Sequence, residues 1–288
     1  MTDAIAHRGP DSEGEYVYQG VALGHRRLSI LDLTELGAQP MYSQDRSQVL
    51  VFNGEIYNYV ELKIELTRLG RVFHTHSDTE VLLHAYEVWG SQCVERFLGM
   101  WAFAIWDTKR RTLFASRDRF GVKPFYFAQT ATRFVFSSEI KGIGEAMPLH
   151  AANMGKVYEY LAYGYRTNDG ETFFEGVSEL PPAHNLFIEN GKVRMVRYWQ
   201  LPPQTDTPVA ESELRERLVG LVEDAVRLRF RSDVPVALLQ SGGLDSSIIC
   251  RIVDDSIEGG QLASPSITAY TAIFPGFEWD ESETVRDL

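Results

Sequence analysis

The feature that most constrains this chain is an apolar run of strand length, Val234–Leu239, that leads through Gln240 into Ser241-Gly242-Gly243-Leu244-Asp245-Ser246-Ser247. A helix-like pattern follows at Ile248–Val253, and a second strand-like run at Ile267–Phe274. Strand, glycine-rich turn, helix and strand in that order define one parallel βαβ unit. Two glycines let the backbone bend tightly and approach a ligand closely. The first amides of the helix, with three serine hydroxyls beside them, favour an anion. Two glycines alone fit equally a plain βα turn whose Asp or Ser caps the helix. The whole string, directly after a buried strand, points instead to a pyrophosphate cradle, and it lacks the lysine of a Walker A loop.

The chain divides near Leu201–Pro208, where LPPQTDTP holds three of the 12 prolines and no apolar period. That composition reads as a stiff linker. It implies a first domain over 1–200, a linker over 201–209 and a second region over 210–288. The second region opens on an amphipathic helix, Glu211–Phe230, with Leu214, Leu218, Leu221, Val222, Ala225, Val226 and Leu228 among charges. The first is strand-rich, with runs at Glu15–Tyr18, Val21–His25, Gln48–Phe52, Ala102–Asp107, Arg111–Arg117, Phe125–Ala128 and Phe134–Ser137. Two helices interrupt it. Leu62, Leu66 and Leu69 form one stripe, stopped at Gly70; Val81, Leu82, Ala85, Tyr86 and Trp89 form another, opened by Ser77-Asp78-Thr79-Glu80. Mostly strands with a few helices predict an α+β domain of stacked sheets and helices.

Composition excludes several classes. Lys and Arg number 28 against 40 Asp and Glu, a net charge of −12, which argues against nucleic-acid binding. A 44% hydrophobic share is too apolar for a disordered chain. No apolar stretch approaches the ~20 residues that span a bilayer, so no membrane partner is expected. The N-terminal stretch has no signal-peptide pattern. Two cysteines, Cys93 and Cys250, are too far apart for a metal or redox pair and read as reduced thiols of a cytoplasmic protein. His74-Thr75-His76 lacks further ligands in a pattern, so no metal site is expected.

The first domain also carries a constellation suited to a free amino acid. Such a ligand needs a cation for its carboxylate and an anion for its ammonium, and Arg27 and Asp78 supply that pair. Asn53-Gly54 is a good hairpin turn, but Glu55, Tyr57 and Asn58 beyond it are poor choices for a bare turn. Asn53 and Gly54 can offer amide N–H groups to an oxyanion during acyl transfer.

Taken together, HRGPDSEG (7–14), GHRRLSILDL (24–33), FNGEIYN (52–58), SDTE (77–80), ASRDRFGVKPFY (115–126) and SSEIKG (137–142) resemble the class II glutamine amidotransferase domain of the glutamine-hydrolysing asparagine synthetase family. SDVP (232–235) and LLQSGGLDSS (238–247) resemble the start of that family's synthetase domain. The resemblance implies an N-terminal αββα sandwich of the Ntn-hydrolase type and then part of a Rossmann-like PP-loop ATP pyrophosphatase domain. It implies that Arg27 holds the glutamine carboxylate and that the backbone around Leu28 and Ile30 lines its side chain. Asn53 and Gly54 would form the oxyanion hole, and Glu55 and Asp78 would bind the ammonium end. Ser241, Gly242, Gly243, Leu244, Asp245, Ser246 and Ser247 would hold the ATP pyrophosphate, with backbone at Gln240 and Ala272 against the adenosine. ATP as substrate, Mg²⁺ with it, glutamine and aspartate are the implied small molecules, and a homodimer is compatible. In the family, ammonia from glutamine attacks aspartate adenylated by ATP, giving asparagine, AMP and pyrophosphate. Two other readings stand beside this one: the same chemistry on another carboxylate, as in β-lactam-synthetase-like relatives, and a binding homologue without catalysis.

The sequence departs from the family at its start. The family's nucleophile is an N-terminal cysteine whose own amine is its base, at the head of a strand and helix leading to HRGPD. Here Met1–Ala6 reads as the last turns of that helix. Cys93 reads as a packing residue. Glu278–Leu288 resembles the start of the synthetase domain's next helix. The expectation is a piece of a longer enzyme, without glutaminase or complete synthetase activity of its own, whose 210–288 segment is poorly soluble alone.

Overall fold

The structure, a computed structural model, describes residues 1–149, 151–164, 169–204 and 209–287. It separates into two compact units, Met1–Pro202 and Pro203–Leu288. Of the linker residues, 205–208 lie outside the described ones.

The first unit begins with a 3-10 helix, Asp3–Arg8, where the sequence reads as the end of an α-helix. Its strands are β1 (Ser12–Tyr18), β2 (Val21–Arg27), β3 (Met41–Tyr42), β4 (Gln48–Ile56), β5 (Gly99–Asp107), β6 (Thr112–Arg117), β7 (Tyr126–Gln129), β8 (Phe134–Ser137), β9 (Val177–Glu179), β10 (His184–Glu189) and β11 (Lys192–Arg197). Its helices are α1 (Tyr59–Arg68), α2 (Asp78–Trp89), α3 (Cys93–Arg96), α4 (Ile140–Gly144) and α5 (Met154–Tyr163). A six-stranded sheet runs β11-β10-β6-β5-β4-β3, with antiparallel pairing. Period-two alternation sorts its side chains to two faces. Leu50, Phe52, Ile56, Trp101, Phe103, Ile105 and Phe114 point to one face and pack with Leu62 and Leu66 of α1 and Val81, Leu82 and Ala85 of α2. Val49, Val51, Ala102, Ala104, Leu113 and Ala115 point to the other and pack with Leu23 of β2 and Phe127 of β7.

That second face meets two separate pieces of sheet, the hairpin β1-β2 and the three strands β8-β7-β9. Ile143 of α4 packs against Ala128 of β7 and Val177 of β9 on the far side. The layers therefore run helix, sheet, sheet, helix. Ser77 caps α2 by accepting from the Thr79 amide, as its sequence position predicts. Glu80 in the same first turn turns back to accept from the amides of His74 (2.9 Å) and Thr75 (2.7 Å).

The second unit contains α6 (Glu211–Arg229), β12 (Val236–Leu239), α7 (Leu244–Glu258), β13 (Ile267–Tyr270) and α8 (Ser282–Asp287). β12 and β13 pair in parallel, Val236 with Ile267 through Leu239 with Tyr270. The strands are shorter than the apolar runs that encode them: Val234 and 271–274 lie outside the ladder. Val226, Phe230 and Val253 form a small core under them.

Candidate active site

A cavity of about 820 Å³ opens in the first unit where the second sheet layer is interrupted. Consecutive residues of β2 (22–27) and of the β8 region (132–137) line it, together with 51–55 of β4 and 102–104 of β5. Strand alternation explains the inward set. Leu23, His25 and Arg27 share one face of β2, and Val51, Asn53 and Glu55 one face of β4.

Arg27, Leu28, Ile30, Asn53, Gly54 and Glu55 all line this cavity. Gly54 is required by space: a Cβ there would lie 2.1 Å from the Met100 carbonyl oxygen and 2.8 Å from Trp101 Cα. The Nδ2 of Asn53 is buried without a hydrogen-bond partner. A buried amide donor left unpaired costs about 1–3 kcal/mol, so it marks a position built for an acceptor. Gln39 fixes the strand beside it, accepting from Phe52 N at 2.6 Å and donating to Phe52 O at 3.1 Å.

Asp78 is buried at the start of α2, where its Oδ2 accepts from the Ile56 amide at 2.9 Å. It therefore ties the helix to the end of the strand carrying Asn53 and Glu55. Burial, with Glu55 nearby, pushes its carboxyl up to about 7, against the Ile56 hydrogen bond. Burial also raises Glu55, and the Lys123 ammonium opposes that rise. Two carboxylates held close in a desolvated place suit one ammonium group.

Arg27 is spoken for by its own loop. Nη1 donates to Thr34 O at 2.8 Å, and Nη2 to the carbonyls of Leu31 and Asp32. Gly37 makes room for it, since a Cβ there would sit 2.2 Å from Nη2. The guanidinium organises the 28–37 loop at the cavity edge.

Three cavity residues were passed over in the sequence. His25 bonds Phe52 O through Nε2 at 3.0 Å while its Nδ1 is buried and unpaired. Burial lowers its pKa to about 4, so the ring is neutral near neutral pH. Its signal was the i, i+2 spacing to Arg27 on one strand. Arg8 and Lys123 also line the cavity. Lys123 arrives on a loop pinned at both sides: its amide donates to Asp118 at 3.0 Å and its carbonyl accepts from Arg117 Nε at 2.7 Å.

Cys93 does not reach the cavity. It is buried with α2 and the helix-facing side of the six-stranded sheet, and burial raises its thiol pKa far above the usual range. Cys250 lies on α7 in the second unit. Among the described residues, no three His, Cys, Asp or Glu groups gather to hold a metal, the HxH pair included.

In the second unit the Gln240 amide donates to Tyr270 O at 2.9 Å, closing the parallel ladder ahead of the loop. Ser246 Oγ reaches back to Ser241 O at 2.7 Å, and Ser247 Oγ donates to Gly243 O at 2.8 Å. Gly243 is the N-cap of α7, so Leu244, Asp245 and Ser246 form its first turn. Ala272 follows β13 and is exposed.

A glutamine amidotransferase domain family model matches residues 1–199, and an asparagine synthase model matches residues 217–288. The asparagine synthetase [glutamine-hydrolyzing] 3 of Bacillus subtilis is 40% identical over 263 residues, covering 90% of this chain and 42% of its own. Amidase chry2 of Gibberella zeae is 34% identical over 302 residues, covering 99% of this chain and 44% of its own. Among solved structures, a glutamine phosphoribosylpyrophosphate amidotransferase from Bacillus subtilis aligns with a TM-score of 0.45 at 19% identity, over 86% of this chain and 51% of its own. The first unit, with its helix–sheet–sheet–helix layers, coincides with the part of the chain matched by the glutamine amidotransferase domain model. The chain belongs to the glutamine amidotransferase domain family, with its C-terminal part similar to asparagine synthase, and it spans less than half the length of these two curated relatives. No helix among the described residues is long and apolar enough to cross a membrane.

Proposed function

We propose that this chain carries the glutamine site and the ATP-phosphate loop of an amide-forming ligase of the asparagine synthetase type. The observation that carries the reading is the unpaired, buried Asn53 amide at a cavity shared with Gly54, Glu55 and Arg27. Asn53 Nδ2 and the Gly54 backbone stabilise the oxyanion formed when the glutamine amide is attacked. Glu55 and Asp78 take the substrate ammonium, whose charge lowers the raised pKa of both. Arg27 takes the carboxylate end by exchanging a loop carbonyl for it.

The cavity is far larger than glutamine needs, and its walls are two sheet pieces with open edges. An added strand fits there, bringing the thiol nucleophile and the amine that serves as its base. In the second unit the 241–247 loop holds the ATP phosphates while aspartate is adenylated. Mg²⁺, implied by the ATP chemistry, would accompany the nucleotide's phosphates.

The experiment makes a chimera by joining to this chain an N-terminal strand that opens on a cysteine with a free amine, and measures ammonia released from glutamine. The chimera should turn over and the chain alone should stay at the no-enzyme rate, because neither cysteine reaches the cavity. Turnover by the chain alone, or a folded but inert chimera, would overturn the glutamine-site assignment.

A further inference from the structure

The Gly242 amide in the phosphate loop is already engaged. It donates to Oε2 of Glu281 at 3.0 Å. Glu281 lies 39 residues away, immediately before α8. The glycine makes this approach possible: a Cβ on Gly242 would lie 3.1 Å from Glu281 Cβ and 3.2 Å from Thr284 Cβ. Other bonds of the loop stay within it. Ser241 N donates to Ser246 Oγ at 3.2 Å and Gly243 N to Ser241 Oγ at 3.3 Å. Among the described residues, Glu281 is the group from outside that binds a 241–247 amide.

A carboxylate and a phosphate oxygen ask the same thing of an N–H, a short charge-assisted hydrogen bond. One amide hydrogen cannot serve both in full, and two anions side by side repel. Glu281 is exposed and Gly242 only half-buried, so water screens the contact and the carboxylate can leave readily.

We propose that Glu281 is a built-in stand-in for phosphate: it occupies the Gly242 amide and is displaced when a nucleotide's phosphate enters, releasing the start of α8. The proposal rests on the reading of 241–247 as a phosphate loop. Apparent affinity for the phosphate ligand is reduced by the fraction of time the carboxylate holds the amide. Ligand entry is thereby coupled to the position of the 281–287 segment.

The test is calorimetric titration of the full chain, E281Q and E281A with inorganic pyrophosphate. Amide chemical shifts of Gly242 and of 282–287 are followed in the unsubstituted chain. Both variants should bind about threefold tighter or more, and pyrophosphate should shift the α8 amides as well as the loop. Equal affinity in all three chains, or weaker binding in E281Q, would overturn the role of Glu281 and leave the phosphate-loop reading standing. No binding by any of them would remove that reading, and this proposal with it. Unmoved α8 amides on saturation would also count against displacement, independently of any variant's folding.

Discussion

Helices α2 and α6 carry similar apolar stripes and have opposite fates. α2 has 12 residues and buries seven of them, Asp78 through Leu83 and Ala85. α6 has 19 residues and buries two, Val226 and Leu228, leaving Leu218 62% exposed and Leu221 60% exposed. The first lies on a six-stranded sheet; the second has two short strands and α7 as neighbours within its unit. An amphipathic pattern states which face a helix offers, and the layer opposite determines what burying it is worth.

The largest expected effect tests that contrast directly. Trp101→Ala removes a fully buried indole from the helix-facing core and should cost ~3–5 kcal/mol. Leu218→Ala should stay within about 0.5 kcal/mol. Urea unfolding of both variants measures the difference, and comparable losses would break the comparison.

Gly54→Ala comes next. Its Cβ collides with the Met100 carbonyl across the β4–β5 pairing, so a loss of ~1–3 kcal/mol is expected. Gly220→Ala on α6, where a Cβ meets nothing within 4 Å, should instead stabilise by ~0.5–1 kcal/mol. A matched pair of melting curves checks the opposite signs.

A smaller effect separates the units by pH. The Asp78 carboxyl is pushed up to about 7, from an ordinary 3.8. Between these values the native state keeps a proton that the unfolded chain has lost. The first unit therefore loses stability through Asp78 as pH rises from about 4 to about 7. His25 acts in the opposite sense. Its pKa falls to about 4 from 6.5, so its contribution is complete above 6.5 and lost as pH drops toward 4. Urea midpoints of Asp78→Asn and His25→Gln at pH 4.5 and 7 should bend apart, and parallel curves would refute the assignment.

The smallest effect belongs to the surface of α6. Arg215 and Glu211 pair at 3.2 Å with both side chains largely exposed, so Arg215→Ala should fall within the scatter of replicate melts.

These residues also show what the sequence made legible. Leu62, Leu66 and the Val81–Ala85 stripe announced α1 and α2, because a wide apolar face has a fixed period. The Ser77 cap was equally plain, because it depends on neighbours in the chain. β10 and β11 went unread, although both belong to the six-stranded sheet. Lys192–Arg197 is a short edge strand whose polar–apolar alternation breaks at the adjacent Met195 and Val196. Asn53, Gly54, Glu55 and Asp78 stood out as a motif, but the hydrogen bond from Ile56 to Asp78 joins positions 22 apart and has no local signature. His25 had only its i, i+2 spacing to Arg27 as a signal, and Lys123 needed the folded cavity to become visible. Glu281 falls in the stretch that resembles the start of a helix, and its bond to Gly242 exists only once the loop is folded.

The interruption in the second sheet layer has a consequence for motion. Among the described residues, β1 and β2 pair with each other and with no further strand, and they rest on the larger sheet through Leu23, with Tyr16 and Val21 beside it, and through the His25–Phe52 hydrogen bond. An isolated hairpin is marginal in water. The 12–27 segment is therefore expected to open separately, with a lower free energy of exposure than β4 or β5. Its amides should be the first of the first unit's ladders to trade hydrogen for deuterium. Whatever fills the gap beside β2 would slow that exchange before it altered any global melting point.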